Sequence, residues 1–158
     1  MVGVCYRYVA DWQLAEDLAQ DAFLRAMANG GSYRALGSFG NWLRKIAVNE
    51  ALMWLRTRPE MVAMEEELAD TAADTLDGPE TDSTTFTQEE LLHLISRLPA
   101  KQRTVFNLYA VEHRSHKQIA ETLGITVANS KVLLSRARDE LQGMLTALTI
   151  KKSKTKNQ

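Results

Sequence analysis

Cysteine is nearly missing from this chain, with Cys5 the only one in 158 residues. That excludes an intramolecular disulfide and a multi-cysteine zinc site, and it suits a reducing compartment. No apolar run approaches the roughly 20 residues that span a bilayer, and no charged n-region precedes a long apolar stretch at the start. A cytoplasmic protein without membrane insertion is therefore expected. Sustained polar/apolar alternation is also missing, and nearly every periodic segment fits a helix. Neither a phosphate loop nor a nucleophile–base pairing is present, so neither an enzyme nor a bound cofactor is expected. His113-x-x-His116 lacks companion cysteines or clustered carboxylates, a poor zinc signal, and no metal site is assigned.

Positive charge is absent from one long segment. Residues 59 to 96 hold 11 acidic side chains and no lysine or arginine, whereas residues 1 to 58 hold 7 basic and 5 acidic, and residues 97 to 158 hold 12 basic and 4 acidic. The formal net charge of -1 thus averages a slightly basic first part, a strongly acidic middle and a strongly basic end. Such a pattern describes two modules on either side of an acidic strap, with nucleic acid a plausible partner for the modules but not for the strap. Asp77-Gly78-Pro79 and Ser83-Thr84-Thr85 mark 59–86 as an extended, self-repelling linker. Glu65-Glu66-Glu67 belongs to that solvated segment rather than to a set of catalytic carboxylates.

The fold class is all-α, with two small helical domains. The first, 1–58, starts with an amphipathic segment from Met1 to Val9, broken near Ala10 and Asp11. A second helix, capped by Asp11, runs to about Asn29. Leu14, Leu18, Ala22 and Met27 form its expected buried stripe, with Phe23 and Ala26 beside it, and Glu16, Asp17, Gln20, Asp21 and Arg25 point outward. Asn29-Gly30-Gly31 ends it, and the loop that follows mixes aromatic and basic side chains, including Tyr33 and Arg34. A third helix, about Phe39 to Arg56, places Phe39, Leu43, Ala47, Ala51 and Trp54 at helical spacing. Order resumes near Thr87 with Leu91, Leu94, Ile95 and Leu98, Pro99 interrupts, and Gln102 to Ala110 supplies a further helix. This second domain covers 87–148, and the lysine-rich 149–158 reads as a disordered basic tail.

The run from Ser115 to Arg138 carries most of the functional information. Ser115 with Gln118 has capping-box spacing, Gly124 can close the helix in the left-handed conformation, and Thr126 caps the next one. Ile119, Leu123 and Ile125 are expected to pack inward with Val127 and Leu134, and Ala120 is small enough for close helix approach. Asn129, Lys131, Ser135, Arg136 and Arg138 remain for phosphates and base edges. A helix-turn-helix of this kind enters DNA, although a solvated basic helix in an ordinary bundle has the same spacing.

Taken in order, the segments Ala15-Glu-Asp-Leu-Ala-Gln-Asp-Ala-Phe-Leu-Arg-Ala26, Gly37-Ser-Phe-Gly-Asn-Trp-Leu-Arg-Lys-Ile-Ala-Val-Asn-Glu-Ala51, Leu98-Pro-Ala-Lys-Gln-Arg-Thr-Val-Phe106 and Ser115 to Arg138 resemble the extracytoplasmic-function class of RNA polymerase sigma factors. The resemblance implies a promoter-specificity subunit that binds core RNA polymerase and promoter DNA, with an anti-sigma factor as a possible further partner. It implies that Asp17, Gln20, Asp21 and Arg25 dock on the clamp of the polymerase's largest subunit, where the residues alone favour an ordinary solvated face. Tyr33, Ser38, Phe39, Asn41, Trp42, Arg44, Lys45 and Asn49 are implied to read and open the minus-ten element, aromatic faces stacking unpaired bases and asparagine reading base edges. Trp42 equally suits a core position, and Asn49 a cross-link between helices. Lys117, Asn129, Lys131, Ser135, Arg136 and Arg138 are implied to hold the minus-thirty-five duplex, with Lys117 and Arg138 on phosphate.

Three departures accompany the resemblance. The chain begins partway through the family's first helix, without the residues that usually precede Met1 to Tyr8, so a truncated domain or a misplaced start is expected. Val132 and Leu133 stand where polar or basic groove-facing residues are common, and Ser130 stands at a commonly apolar inward position. Two other functions suit the same residues: a stand-alone helix-turn-helix regulator, which needs no polymerase, and a helical adaptor whose basic face binds protein.

Overall fold

The computed structural model describes residues 1–33, 37–62 and 86–157. Every regular element among them is helical, as the lack of strand patterning predicts. The chain divides into two compact units, Met1–Met64 and Glu65–Gln158. Residues 63–85, most of the expected linker and including Glu65-Glu66-Glu67, lie outside the described residues, as do 34–36.

In the first unit α1 (Val2–Val9), α2 (Trp12–Ala28) and α3 (Phe39–Arg56) pack against one another. α1 ends where Ala10 turns left-handed at φ 56° and donates its N–H to the Tyr6 carbonyl. Asp11 then accepts from the Leu14 N–H at 3.0 Å, satisfying one of the four unpaired donors that open a helix. The far end of α2 is closed by Asn29, whose amide donates to the Arg25 carbonyl at 3.0 Å, ahead of a 3-10 turn at Gly30–Ser32. A short helix, α4 (Pro59–Val62), continues the chain where the sequence reads as the start of an extended linker.

The buried face of α2 differs from the expected stripe. It consists of Ala15, Leu18, Ala19, Ala22 and Ala26, whereas Phe23 is 53% and Met27 67% exposed. At about 100° per residue the five buried positions span an arc only about 100° wide, and Phe23 and Met27 fall outside it. Four alanines on that arc let α1 and α3 approach closely, leaving no room for longer side chains. Opposite them lie Cys5, Tyr8 and Val9 of α1 and Ala47, Val48, Ala51, Leu52 and Leu55 of α3, all buried. Phe39, first of the apolar residues at helical spacing in α3, is 55% exposed.

In the second unit α5 (Gln88–Ser96) starts with a complete capping box, Thr87 and Glu90 each bonding the other's backbone N–H. α6 (Ala100–Phe106) starts two residues before the expected Gln102 and passes at Asn107–Val111 into a π-helical turn. Lys101, Gln102, Arg103, Thr104 and Val105 are all buried, so α6 is enclosed on every side. Arg103 meets the cost of burial by donating through Nη1 to the carbonyls of Ser96 and Leu98, at 3.1 and 2.8 Å, which closes the C-terminal end of α5.

α7 (His116–Leu123) and α8 (Val127–Lys156) form the helix-turn-helix. Ser115 and Gln118 make the reciprocal bonds of a capping box, Gly124 adopts φ 68°, and Thr126 accepts from the Asn129 N–H at 3.0 Å. Val127, expected to face inward, is 41% exposed. The basic tail is not irregular in this structure, because α8 continues through 149–156. Lys152 reaches the Glu90 carboxylate at 2.8 Å, tying the far end of α8 to the start of α5. That ion pair and hydrogen bond hold Glu90 below the usual carboxylate range, with the Thr87 backbone bond adding to it.

Burial, opposed by the terminal ammonium and reinforced by Glu50, pushes the Cys5 thiol up to about 11. A raised folded-state value keeps the thiol protonated through neutral pH, and stability falls as pH rises from the unfolded value toward the folded one. Labelling with a thiol reagent at pH 7.5 is therefore expected to be slower by about a hundredfold in the native chain than in urea-unfolded chain. Equal rates would mean that α1 opens readily.

Candidate functional site

Asp17, Gln20 and Asp21 are exposed on α2, with Phe23, Leu24 and Met27 exposed on the same helix. The outward surface is thus acidic and apolar together, a combination that the stripe expected from sequence concealed. Arg25 differs from its neighbours: its guanidinium forms an ion pair with Glu50 of α3, whose carboxylate is almost wholly buried. A buried carboxylate requires such a partner, so Arg25 contributes to the packing of α2 on α3 whatever else it touches.

Where the chain enters α3, Tyr33 and the helical residues Phe39 and Trp42 bring three aromatic rings into mutual contact. Tyr33 and Phe39 meet edge to face with centroids 5.4 Å apart, and Trp42 lies 5.3 Å from Tyr33 and 5.5 Å from Phe39. The Tyr33 hydroxyl donates to the Gly37 carbonyl at 3.0 Å, just ahead of α3. Trp42 is half-buried rather than part of the core, because its partners are these rings and not the α1–α2 interface. Ser38 accepts from the Asn41 N–H and caps α3, a structural duty additional to the one expected of it. Asn41, Lys45 and Asn49, each four residues from the next, form one exposed stripe beside the rings, while Arg44 is half-buried.

In the second unit the expected residues separate into two stripes on α8. Lys131, Ser135 and Arg138 share one face, and Asn129 with Arg136, seven apart, shares another. Lys131 and Arg138 are exposed; Asn129, Ser135 and Arg136 are half-buried. Val132 lies angularly between the stripes and is 7% exposed, and Leu133 and Leu134 are 2% and 3% exposed. The expectation that Val132 and Leu133 face the groove is therefore corrected. α8 packs against both α6 and α7, and those residues supply the apolar surface that the double contact requires. Ser130, fully buried, does point inward as its position suggests. Lys117 is exposed in the first turn of α7.

Sequence reasoning missed a polar cluster beneath this surface. The His116 ring stacks on Tyr109 of the π-helical turn with centroids 4.7 Å apart, and its Nδ1 lies 2.9 Å from the Ser130 hydroxyl. The Arg138 guanidinium sits 5.6 Å from the Tyr109 ring centre. The second member of the histidine pair, a poor metal signal for want of companion ligands, is thus engaged with Ser130 and Tyr109. No group of three or more potential ligands gathers to hold an ion among the described residues. No described helix is long and apolar enough to cross a membrane.

Comparison with known proteins bears on both units. Residues 1–59 match the family Sigma-70 region 2, and residues 88–141 match Sigma-70, region 4. The chain is 31% identical over 151 residues to the ECF RNA polymerase sigma factor SigW of Bacillus subtilis, covering 90% of this chain and 81% of the relative. It is 30% identical over 157 residues to the RNA polymerase sigma-H factor of Pseudomonas aeruginosa, covering 94% and 81%. The sigma factor RpoE of Bartonella quintana, solved in complex with the anti-sigma factor NepR, shares the fold with a TM-score of 0.56. That likeness has 24% identity and covers 92% of this chain and 89% of the other.

Sigma-70 regions 2 and 4, in that order and on separate helical units, define a sigma-type transcription initiation factor. More narrowly, the chain belongs to the extracytoplasmic-function RNA polymerase sigma factors. Its function is accordingly that of the subunit that directs RNA polymerase in promoter recognition and initiation. The readings as a stand-alone regulator or protein adaptor are set aside.

Removing Arg25 tests its packing role. Arg25→Ala leaves Glu50 buried without its partner and is expected to lower stability by about 1 to 2 kcal/mol, less than for a fully buried pair because Arg25 is 60% exposed. The second substitution Glu50→Gln should recover most of that loss in urea unfolding; an undiminished loss would leave the ion pair without a stabilising role.

Proposed function

We propose that the two units divide promoter recognition between them. The first binds the polymerase clamp through Asp17, Gln20 and Asp21 and captures melted minus-ten DNA on the Tyr33–Phe39–Trp42 rings and the Asn41–Lys45–Asn49 stripe. Ser38 and Arg44 border that surface. The second grips the minus-thirty-five duplex through Lys117, Asn129, Lys131, Ser135, Arg136 and Arg138. The observation that carries this reading is the contact set of three aromatic rings, half-buried Tyr33 and Trp42 with exposed Phe39, beside a stripe of asparagine and lysine. An unstacked base loses its neighbours' π-faces when a duplex opens, and stacking on protein aromatics restores about 1 to 3 kcal/mol per base.

Phe23, Leu24 and Met27 extend the clamp-binding face. Acidic side chains orient the approach to a basic partner, and the apolar ones supply contact area. The chain acts as a specificity subunit and not as a catalyst, the chemistry of RNA synthesis belonging to the polymerase, and it works in the cytoplasm with that enzyme. Residues 59–86 cross through a basic channel of the polymerase, a path favoured by their acidic charge and opposed along DNA. An anti-sigma factor is a further partner, in keeping with the complex in which the Bartonella relative was solved.

Transcription from a randomised promoter library by core polymerase with and without the full chain tests the division directly. Asn49→Ala is expected to reduce permanganate reactivity of the minus-ten thymines severalfold while closed-complex formation is retained; unchanged reactivity would remove Asn49 from the melting surface. Arg136→Ala is expected to lower discrimination at one upstream base pair by about 1 to 3 kcal/mol, the value of a bidentate base contact, with polymerase binding unaltered. A uniform loss across all upstream sequences would make Arg136 a phosphate contact instead.

A further inference from the structure

The His116–Ser130 pair joins the first residue of α7 to the fourth residue of α8, between Asn129 and Lys131 in the chain. Ser130 is fully buried and the ring is clamped from another side by Tyr109. Three elements therefore meet at one imidazole: α7, which carries it, α8 through Ser130, and the π-helical turn through Tyr109. We propose that His116 is a positioning residue for promoter binding, a polar latch that fixes the pose of α8 and gains a proton as DNA phosphate reaches the surface above it. The inference rests on the reading that α8 meets the upstream duplex.

The latch survives a change of protonation. With Nδ1 unprotonated, the Ser130 hydroxyl donates to it; with Nδ1 protonated, the ring donates to the hydroxyl oxygen. What changes is charge. The groups facing the ring are Lys131 and Arg138 from α8 and the Tyr109 phenol from the π-helical turn, and Lys117 follows it on α7. Burial, then the Lys131 and Arg138 charges, hold His116 below the ordinary histidine range, so the free protein carries it neutral at neutral pH. Phosphates drawn to Lys131 and Arg138 oppose their field, and a cationic ring then becomes favourable. Binding that takes up a proton grows tighter as pH falls through the ring's titration range.

Upstream-duplex binding should be measured by fluorescence from pH 8.0 to 5.5 with holoenzyme assembled from the full chain and core polymerase. The wild-type affinity is expected to rise severalfold across that range as the bound form takes up a proton. His116→Phe, which keeps a ring against Tyr109, should abolish that rise, whereas His113→Gln should retain it. Ser130→Ala should weaken binding severalfold at every pH, because His116 then loses the bond that fixes α8 against α7, with polymerase affinity unchanged. Following the His116 ring proton by NMR in the full chain, with and without duplex, reads the same change without any substitution and should show an upward move. If Lys131→Ala weakens binding but His116→Phe keeps the pH dependence, or the ring's titration does not move up, the latch is overturned while the placement of α8 stands. If Lys131→Ala and Arg138→Ala both leave duplex affinity unchanged, that placement fails and the latch falls with it.

Discussion

The second unit depends on one helix serving as core and as surface at once. Ser130, Val132, Leu133, Leu134 and Ala137 of α8 are buried, while Lys131 and Arg138 between and beyond them are exposed. Burying each of the large aliphatic residues contributes about 1.5 to 3 kcal/mol, enough to hold α8 in one rotational setting against α6 and α7. Rotation by a single residue would carry a lysine inward and a leucine out, so the angular placement of the basic side chains is set by the packing of their neighbours. Gly124 and the caps at Ser115 and Thr126 fix the axial placement in the same way. The surface offered to a partner is thus a by-product of core geometry rather than of the polar residues themselves.

A related constraint shapes the first unit. An inner face of α2 made almost wholly of alanine allows close approach to α1 and α3 but buries little area per residue. Larger side chains that would ordinarily complete the core are displaced outward, and Phe23, Leu24 and Met27 become surface. Arg25 and Glu50 then hold α2 to α3 at the margin of this thin core. The rings of Tyr33, Phe39 and Trp42, excluded from the same interior, gather instead on one another. The alanine face of α2 and the clustering of these rings at the edge of the unit are one arrangement seen from two sides.

α8 also extends beyond the part that matches Sigma-70 region 4, which ends at residue 141. At about 1.5 Å per residue its 30 residues span about 45 Å, and Lys152 near the far end pairs with the capping carboxylate of α5. Glu90 therefore serves two ends at once, closing its own capping box and anchoring the last turns of α8. The lysine-rich end gains helical order through that contact, since a short charged segment has little tendency to fold unaided.

Local signals were legible without the fold. Caps at Asp11, Thr87, Ser115 and Thr126, the stop at Gly124 and the break after Asn29 follow from the hydrogen-bonding and backbone preferences of single residues and their near neighbours. The sequence by itself also determined the helical class, the uneven charge along the chain and the ordered motifs that mark the family, because each is a property of residue type and spacing. Tertiary structure alone decided which of several apolar residues at similar spacing were buried. Phe23, Met27 and Phe39 went outward and Val132 and Leu133 inward, since burial depends on how closely neighbouring helices approach and from how many sides. It alone brought His116 to Ser130 across 14 positions and paired Arg25 with Glu50 across 25, because such contacts arise from the crossing of helices and leave no periodic trace in the chain.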